Sequence, residues 1–179
     1  MNVELFYFIN NGLSNPVLDV ILPNITELGG FESLGIICLI ALIITRKNFY
    51  GLGKFYPLVK LCAVSLIVTT AIVFCLKVSF RHPRPYMVLD HVNVLAQTVD
   101  PNSFPSGHTS STLSIVTVLV IKSKEYFEKY RLINGILIIF ALLIALSRIY
   151  VGLHYPIDVM VGGLVATAVG ILVCRYLKV

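Results

Sequence analysis

Long apolar runs are the feature that most limits what this chain can fold into. Five such runs occur, at about residues 29–45, 57–76, 104–121, 132–149 and 157–174. A helix needs roughly 20 mainly apolar residues to cross the hydrocarbon core of a bilayer, and shorter runs fit with local thinning. Only 13% of the residues are charged, against about 25% in soluble domains. The sequence therefore predicts an all-α, polytopic membrane helix bundle with five to six transmembrane helices.

The first 28 residues form a separate segment in this prediction. Its two apolar pieces, Leu5–Ile9 and Val17–Leu22, are interrupted by asparagine, glycine and proline, and both are too short to span a membrane. We interpret them as amphipathic helices at the membrane interface, with a hairpin-like first span as the alternative. The chain thus divides into an interfacial segment, residues 1–28, and a transmembrane domain, residues 29–179.

The basic residues indicate how the spans are oriented. Ten of the fourteen lie in one set of loops and at the C-terminus: Arg46, Lys47, Lys54, Lys60, Lys122, Lys124, Lys129, Arg131, Arg175 and Lys178. The positive-inside rule makes that side cytoplasmic, so we expect a plasma or inner membrane protein whose N-terminus is outside. Because the net charge of +5 follows membrane topology, the expected partner is the lipid bilayer and no nucleic acid is expected. The other four, Lys77, Arg81, Arg84 and Arg148, break the rule on the outer side, which favours a functional role.

The stretch from Ser147 to Asp158 places Arg148, His154 and Asp158 between two apolar runs. A charge at membrane depth costs roughly 2.5 kcal/mol or more, so such a cluster needs a function or mutual pairing. Pro156 fits the first turn of the next helix, which puts Asp158 near a helix N-terminus. From there the carboxylate can fix the tautomer of His154 and make its other nitrogen a better nucleophile. The alternative is a helix-entry turn in which Asp158 only caps and His154 only packs.

Two further segments, Lys77–Pro85 and Phe104–Thr109, lie on the same predicted side and can converge with this stretch in one pocket. Three cations there could grip a phosphate: Lys77, Arg84 and Arg148. We also expect bound phosphate and Asp158 to hold these cations by charge. The alternative for each cation is snorkelling to the interface. Ser106 and Gly107 fall where a helix begins, and open backbone N–H groups make such a position an anion site.

A phosphoryl group bound here would need a nucleophile and a proton donor for the leaving oxygen. His154 backed by Asp158 suits the first task and His108 the second, since imidazole titrates near neutral pH. The two remaining histidines, His82 and His91, have no partner in the sequence pattern and are interpreted as loop residues.

The chain resembles the type 2 phosphatidic acid phosphatase (PAP2) family in three blocks. They are Lys77-x6-Arg84-Pro85, Pro105-Ser106-Gly107-His108 and Ser147-Arg148-x5-His154-x3-Asp158. The resemblance implies a membrane lipid phosphatase that uses no metal or other cofactor and forms a phosphohistidine intermediate. It implies His154 as the nucleophile, Asp158 as its orienting partner and His108 as the general acid. It also implies a phosphate-binding set: Lys77, Arg84, Ser106, Gly107 and Arg148.

The first choice of substrate is a polyprenyl diphosphate such as undecaprenyl diphosphate, at the outer leaflet. The short chain and the segment Ile9-Asn10-x-Gly12…Leu18-Asp19 resemble the bacitracin-resistance subgroup of undecaprenyl-diphosphate phosphatases. Phosphatidylglycerophosphate, phosphatidate and lipid A phosphate are the other candidates.

Three other classes are weighed against this one. Vanadium haloperoxidases share the signature but are soluble and larger. A metal triad of two histidines and an aspartate is disfavoured by the cations around it. A non-enzymatic lipid transporter would not need this pair of histidines.

Overall fold

The computed structural model describes residues 2–177, and Lys178, counted above among the basic residues, lies outside them. The helices are α1 (Asn2–Asn10), α2 (Pro16–Glu27), α3 (Phe31–Arg46), α4 (Tyr56–Phe80), α5 (Pro85–Val88), α6 (Gly107–Tyr126), α7 (Tyr130–Tyr150) and α8 (Pro156–Tyr176), with a 3₁₀ segment (Phe49–Phe55) before α4. Within residues 2–177 there is no β-strand, only one isolated bridge between Pro83 and Asn102. The all-α prediction is confirmed.

Three described helical segments are long and apolar enough to cross a membrane: Phe49–Phe80, Tyr130–Tyr150 and Pro156–Tyr176. Helices α2 and α3, bent by 50° where they meet, qualify together as a fourth. The prediction of a run from residue 104 begins too early, because the helix starts at Gly107. Helix α6 is rich in serine and threonine, and it packs against α4, α7 and α8. Its polar side chains therefore face protein, and the membrane helix bundle is confirmed while the count of five spans stays a prediction.

The N-terminal segment is helical, as expected, and it packs onto the bundle. Asn15 caps α2, since its side-chain oxygen accepts from the backbone N–H groups of Val17 and Leu18 at 3.2 and 3.1 Å. Phe6 is fully buried among side chains of α7 and of the segment joining α7 to α8. The amide of Asn10 donates to the carbonyl of Tyr150 at 2.7 Å. Its position at a membrane interface stays a prediction.

Short connections bring the predicted motifs together at one end of the bundle, which we call the motif end. Residues 127–129 alone join α6 to α7, so these helices are antiparallel neighbours. Residues 151–155 join α7 to α8, and Gly152 turns there with φ +83°. A Cβ at Gly152 would lie 2.7 Å from the carbonyl oxygen of Asn93, so only glycine fits this turn. The start of α8 is thereby fixed beside the end of α7.

Two apolar clusters form the core. The motif-end cluster joins the N-terminal segment to the α7–α8 connection through Phe6, Ile9, Leu22, Ile149, Tyr150, Val151, Leu153, Tyr155 and Val159. The basic-end cluster lies toward the loops that carry most lysines and arginines, and contains Cys38, Leu58, Leu61, Cys62, Leu66, Val118, Val169 and Val173. The two clusters fix the helices at both ends.

Candidate active site

The helix ends position every charged side chain of the three motif blocks. Lys77 lies in the last turn of α4 and Arg148 in the last turn of α7. Arg84 immediately precedes α5, and His108 and Asp158 lie in the first turns of α6 and α8. Because α4 and α7 end where α6 and α8 begin, these side chains meet at the motif end. The convergence expected from the sequence is therefore present in the structure.

A cavity of about 580 Å³ lies between these helix ends. Six of the eight predicted site residues line it: Lys77, Arg84, Gly107, His108, Arg148 and His154. The other two, Ser106 and Asp158, are fully buried and do not line it. The cavity continues along α4, past Val73 and Phe74, so its wall is polar at one end and apolar at the other. Such a space suits an anionic headgroup with an apolar tail.

His154 and Asp158 face each other in the buried wall of this cavity. His154 Nδ1 lies 3.6 Å from Asp158 Oδ2, which is longer than an ordinary hydrogen bond. The same carboxylate oxygen accepts from the backbone N–H of Tyr155 at 2.8 Å, the N-cap contact of α8. Asp158 therefore caps α8 and faces the imidazole, and its action on the tautomer of His154 stays a prediction.

Arg84 determines which nitrogen of His154 carries the proton. Its Nη1 lies 3.2 Å from His154 Nε2 and also donates to the carbonyl of Leu153 at 3.0 Å. A guanidinium has only donors, so Nε2 must be the acceptor in this contact. In the neutral ring the proton then lies on Nδ1, toward Asp158. The unprotonated nitrogen is therefore the one beside the arginine and the cavity.

The surroundings also keep the imidazole of His154 neutral. Burial, together with the positive charges of Arg148 and Arg84, holds the pKa of His154 well below its usual range. The side chain is 2% exposed, so water does little to screen these charges. A neutral imidazole whose Nε2 carries no proton is the protonation state that a nucleophile requires.

Arg148 also lines the cavity, and the N-terminal segment holds its side chain. Its Nη1 donates to the hydroxyl of Thr26 at 3.0 Å and lies 4.0 Å from Glu27 Oε1. Among the described residues its Nε has no hydrogen-bond partner, although the side chain is almost fully buried. An unpaired buried donor is costly. Arg148 is thus equipped to bind an anionic ligand.

The start of α6 contributes its backbone and His108. Nothing lies within 4 Å of where a Cβ of Gly107 would be, so a ligand can approach the main chain closely there. Ser106 faces away from the cavity, since its hydroxyl contacts Thr109 at 3.0 Å and its N–H donates to the carbonyl of Asp158. His108 Nε2 has no hydrogen-bond partner among the described residues. It is available for proton transfer.

The acidic partners of the cations differ from the sequence expectation. Lys77 and Arg84 form ion pairs with Asp100, at 2.8 and 3.6 Å, and Arg148 lies near Glu27. We expected bound phosphate and Asp158 to hold these cations. Burial lowers the pKa of Arg84, and the charge of Asp158 does act to raise it, but less than that of Asp100. Within residues 2–177 Asp158 forms no ion pair with the cations, and its carboxylate caps α8 and faces His154. Cations on the predicted outer side require counter-charges. The acidic residues of the same outer segments were therefore the sequence signal for these partners.

His82 also has a partner that the pattern did not predict. Its Nδ1 lies 3.0 Å from the hydroxyl of Ser103, and its ring packs edge-on against Tyr155. His91 is exposed, as expected for a loop residue. Within residues 2–177 no group of three or more His, Cys, Asp or Glu side chains is arranged to hold a metal ion.

Comparison with known proteins agrees with this geometry. The PAP2 superfamily matches residues 58–179, the region that contains all three motif blocks. Undecaprenyl-diphosphatase BcrC from Bacillus subtilis is 33% identical over 178 residues, covering 98% of this chain and 84% of that protein. Phosphatidylglycerophosphatase B from Haemophilus influenzae is 34% identical over 80 residues, covering 42% of this chain and 33% of that protein.

Solved structures show the same fold. The crystal structure of LpxE from Aquifex aeolicus is 36% identical and superimposes with a TM-score of 0.79, covering 98% of this chain and 95% of that one. A transmembrane PAP2-type phosphatidylglycerolphosphate phosphatase from Bacillus subtilis superimposes with a TM-score of 0.76 at 23% identity, covering 97% and 85%. The second likeness shows the fold alone. The chain belongs to the PAP2 superfamily and is a multi-pass membrane lipid phosphatase.

Proposed function

We propose that this enzyme removes the terminal phosphate of a polyprenyl diphosphate, such as undecaprenyl diphosphate, with His154 as the nucleophile. The observation that carries the proposal is the contact of His154 Nε2 with Arg84 at 3.2 Å. That contact leaves the lone pair of Nε2 beside a cation that could bind a phosphoryl oxygen. The roles below extend this observation to the other residues around the cavity.

In the first step, Nε2 of His154 attacks the terminal phosphorus. The N–P bond forms and the P–O bond to the lipid phosphate breaks. His108, protonated once the bound diphosphate offsets the charge of the neighbouring cations, gives its proton to the leaving oxygen, so a lipid monophosphate departs. Asp158 stabilises the positive charge that develops on the imidazole, from its position 3.6 Å beyond Nδ1.

In the second step, water attacks the phosphorus of the phosphohistidine. His108 now accepts a proton from the water, the N–P bond breaks and inorganic phosphate leaves. Three cations hold the phosphoryl oxygens throughout: Lys77, Arg84 and Arg148. The backbone at Gly107 adds N–H donors from the start of α6, and Ser106 supports that turn from behind, through its contact with Thr109.

Two features support a polyprenyl diphosphate as the substrate. The relative named for undecaprenyl-diphosphatase activity aligns over 98% of this chain, which includes the N-terminal segment outside the family match. In the structure that segment reaches the cavity, since Glu27 lines it. Phosphatidylglycerophosphate is the second candidate, because a relative with that activity in its name aligns over part of the chain.

A phosphate-release assay with the purified protein tests the substrate. Undecaprenyl diphosphate, undecaprenyl phosphate, phosphatidylglycerophosphate, phosphatidate and lipid A phosphate would be compared, each with and without EDTA. We expect the highest kcat/KM for undecaprenyl diphosphate, full activity in EDTA, and inhibition by vanadate, which mimics a five-coordinate phosphorus. Loss of activity in EDTA with recovery on adding one divalent ion would contradict the metal-free reaction.

We further propose that the cavity opens to the outer leaflet of the plasma membrane. The basic loops at the opposite end support this orientation by the positive-inside rule. Labelling of single cysteines with an impermeant maleimide on intact cells tests it, in a variant without the four native cysteines. Two exposed acidic positions make a matched pair: Asp90→Cys should react without lysis, and Glu128→Cys only after lysis. The reverse pattern would place the cavity in the cytoplasm.

A further inference from the structure

The segment between α5 and α6 carries an acidic residue that none of the three motif blocks contains. Residues 97–100 line the active-site cavity, and Asp100 contacts two of its cations. Local bonds fix the position of Asp100. Its N–H donates to the hydroxyl of Thr98 at 3.3 Å, and its Oδ1 accepts from the N–H of Asn102 at 2.9 Å. The carboxylate is thus held in place from its own segment.

Arg84 is bound to Asp100 along one edge of its guanidinium. Its Nε donates to the backbone carbonyl of Asp100 at 2.6 Å, and its Nη2 lies 3.6 Å from Oδ2 of the same residue. The remaining nitrogen, Nη1, is the one that contacts His154 Nε2 at 3.2 Å. A planar guanidinium that is bound along one edge has the direction of its third nitrogen fixed.

Lys77 is also bound to Asp100. Its Nζ lies 2.8 Å from Asp100 Oδ2 and donates to the carbonyl of Asn102 at 2.6 Å. The flexible lysine chain would otherwise sample many rotamers. One carboxylate oxygen therefore fixes both cations on this side of the cavity.

The carboxylate of Asp100 remains ionised at neutral pH. Partial burial alone would raise its pKa, but the hydrogen bond and charge of Lys77, with the Asn102 N–H and Arg84, hold the pKa below its ordinary value. Its side chain is 39% exposed at the rim, whereas that of Arg84 is 3% exposed. The anion thus lies on the outer side of the cations, away from Nη1, which donates to the carbonyl of Leu153 and contacts His154 Nε2.

We propose that Asp100 is a positioning residue, which aims Arg84 Nη1 at the reacting nitrogen of His154 and holds Lys77 beside it. This inference rests on the proposed function, because it takes His154 as the nucleophile. The role goes beyond charge balance: the carboxylate would act through the orientation of Arg84 and would not touch the substrate.

The test is Asp100→Asn in the full-length protein, with farnesyl diphosphate as a soluble polyprenyl substrate. Asparagine keeps the backbone carbonyl that binds Arg84 Nε and removes the charge. Misplacement of a catalytic contact by about 1 Å can cost roughly 100-fold, so we expect kcat to fall on the order of 10- to 100-fold with little change in KM. Asp90→Asn is the control, since Asp90 is exposed and its contact with Tyr7 uses the main-chain carbonyl.

Inhibition by vanadate and by inorganic phosphate separates positioning from a plain charge effect. If Asp100 aims Arg84, the variant binds vanadate more weakly by about the factor lost in kcat, while phosphate inhibition changes little. If Asp100 only competes with the substrate for the cations, both anions bind the variant more tightly and kcat does not fall. That second pattern would overturn the proposal.

Asp100→Glu provides a second route, because it keeps the charge and displaces it by one methylene. We expect smaller losses of kcat and of vanadate binding in Asp100→Glu. This variant therefore still tests the proposal if Asp100→Asn does not fold. Wild-type kcat and vanadate inhibition in either folded variant would refute it. A different result, turnover retained by His154→Asn, would contradict the proposed function itself.

Discussion

Each end of the bundle has a buried apolar cluster, but within residues 2–177 only the motif end also buries charged side chains. In the basic-end cluster the buried side chains are aliphatic or cysteine, for example Leu66 and Val118. At the motif end, Arg84, Arg148, His154 and Asp158 are each 3% exposed or less. Apolar burial stabilises a fold without further conditions, whereas each buried charge costs free energy unless it is paired.

The pairing at the motif end is incomplete where a ligand would bind. Lys77 and Arg84 have acidic partners, but Arg148 Nε, His154 Nδ1 and His108 Nε2 have no hydrogen-bond partner among residues 2–177. A site built only for stability would satisfy these atoms. The difference between the two ends supports the proposal that the motif end binds a phosphate.

The largest expected effect is the loss of turnover in His154→Asn. Asparagine keeps a donor near Asp158 but has no nitrogen at the position of Nε2, so the proposed nucleophile is absent. We expect kcat to fall about 10⁴-fold or more, as when a member of a catalytic triad is removed. The assay is phosphate release by folded protein, with His91→Asn, an exposed histidine outside the cavity, as control. Activity within tenfold of wild type would contradict the role.

Asp158→Asn should have the next largest effect. The amide oxygen can still cap α8, but it cannot stabilise an imidazolium, so we expect a loss of about 10³- to 10⁴-fold in kcat. Asp90→Asn removes the same charge from an exposed site. If Asp158→Asn retains kcat, the residue is only a cap.

The pH dependence should show how the cations act on His154. Burial, then the charge of Arg148, holds the pKa of His154 low, and only the neutral form can attack. Activity on the acid side is therefore lost only well below pH ~6.5, the ordinary histidine value. In Arg148→Gln the residual kcat/KM should decline at a higher pH than in wild type. The pH profiles of wild type and Arg148→Gln should be measured with the same substrate, so that ionisation of the substrate affects both equally. If kcat/KM declines at the same low pH in both proteins, this account is contradicted.

The smallest effect on catalysis is expected at the basic end. Leu66 is 2% exposed, so Leu66→Ala should lower the free energy of unfolding by about 2 to 5 kcal/mol. The turnover of the folded protein should stay at the wild-type value. Thermal unfolding in detergent measures the first and specific activity the second, with Ile67→Ala, at a 61% exposed position, as the control. A large loss of kcat would show that the two ends are coupled.

The sequence predicted the helices and the cation cluster because local patterns specify both. Apolar runs gave the long helices, and Pro156 with Asp158 gave the start of α8. Contacts between distant segments were not predictable in this way. Asp100 and Glu27 belong to no spacing pattern, and they meet the cations only through folding of the chain. Ser106 turns away from the cavity because its hydroxyl bonds to Thr109. The motif alone does not predict this orientation.

Trapping of the phosphoenzyme tests the central claim most directly. Polyprenyl diphosphate labelled in its terminal phosphate would be mixed with enzyme and quenched within milliseconds in acid or in base. If Nε2 of His154 is the nucleophile, wild-type protein carries a label that is stable in base and lost in acid, and His154→Asn carries none. A label that is undiminished in His154→Asn would remove His154 from this role and contradict the account.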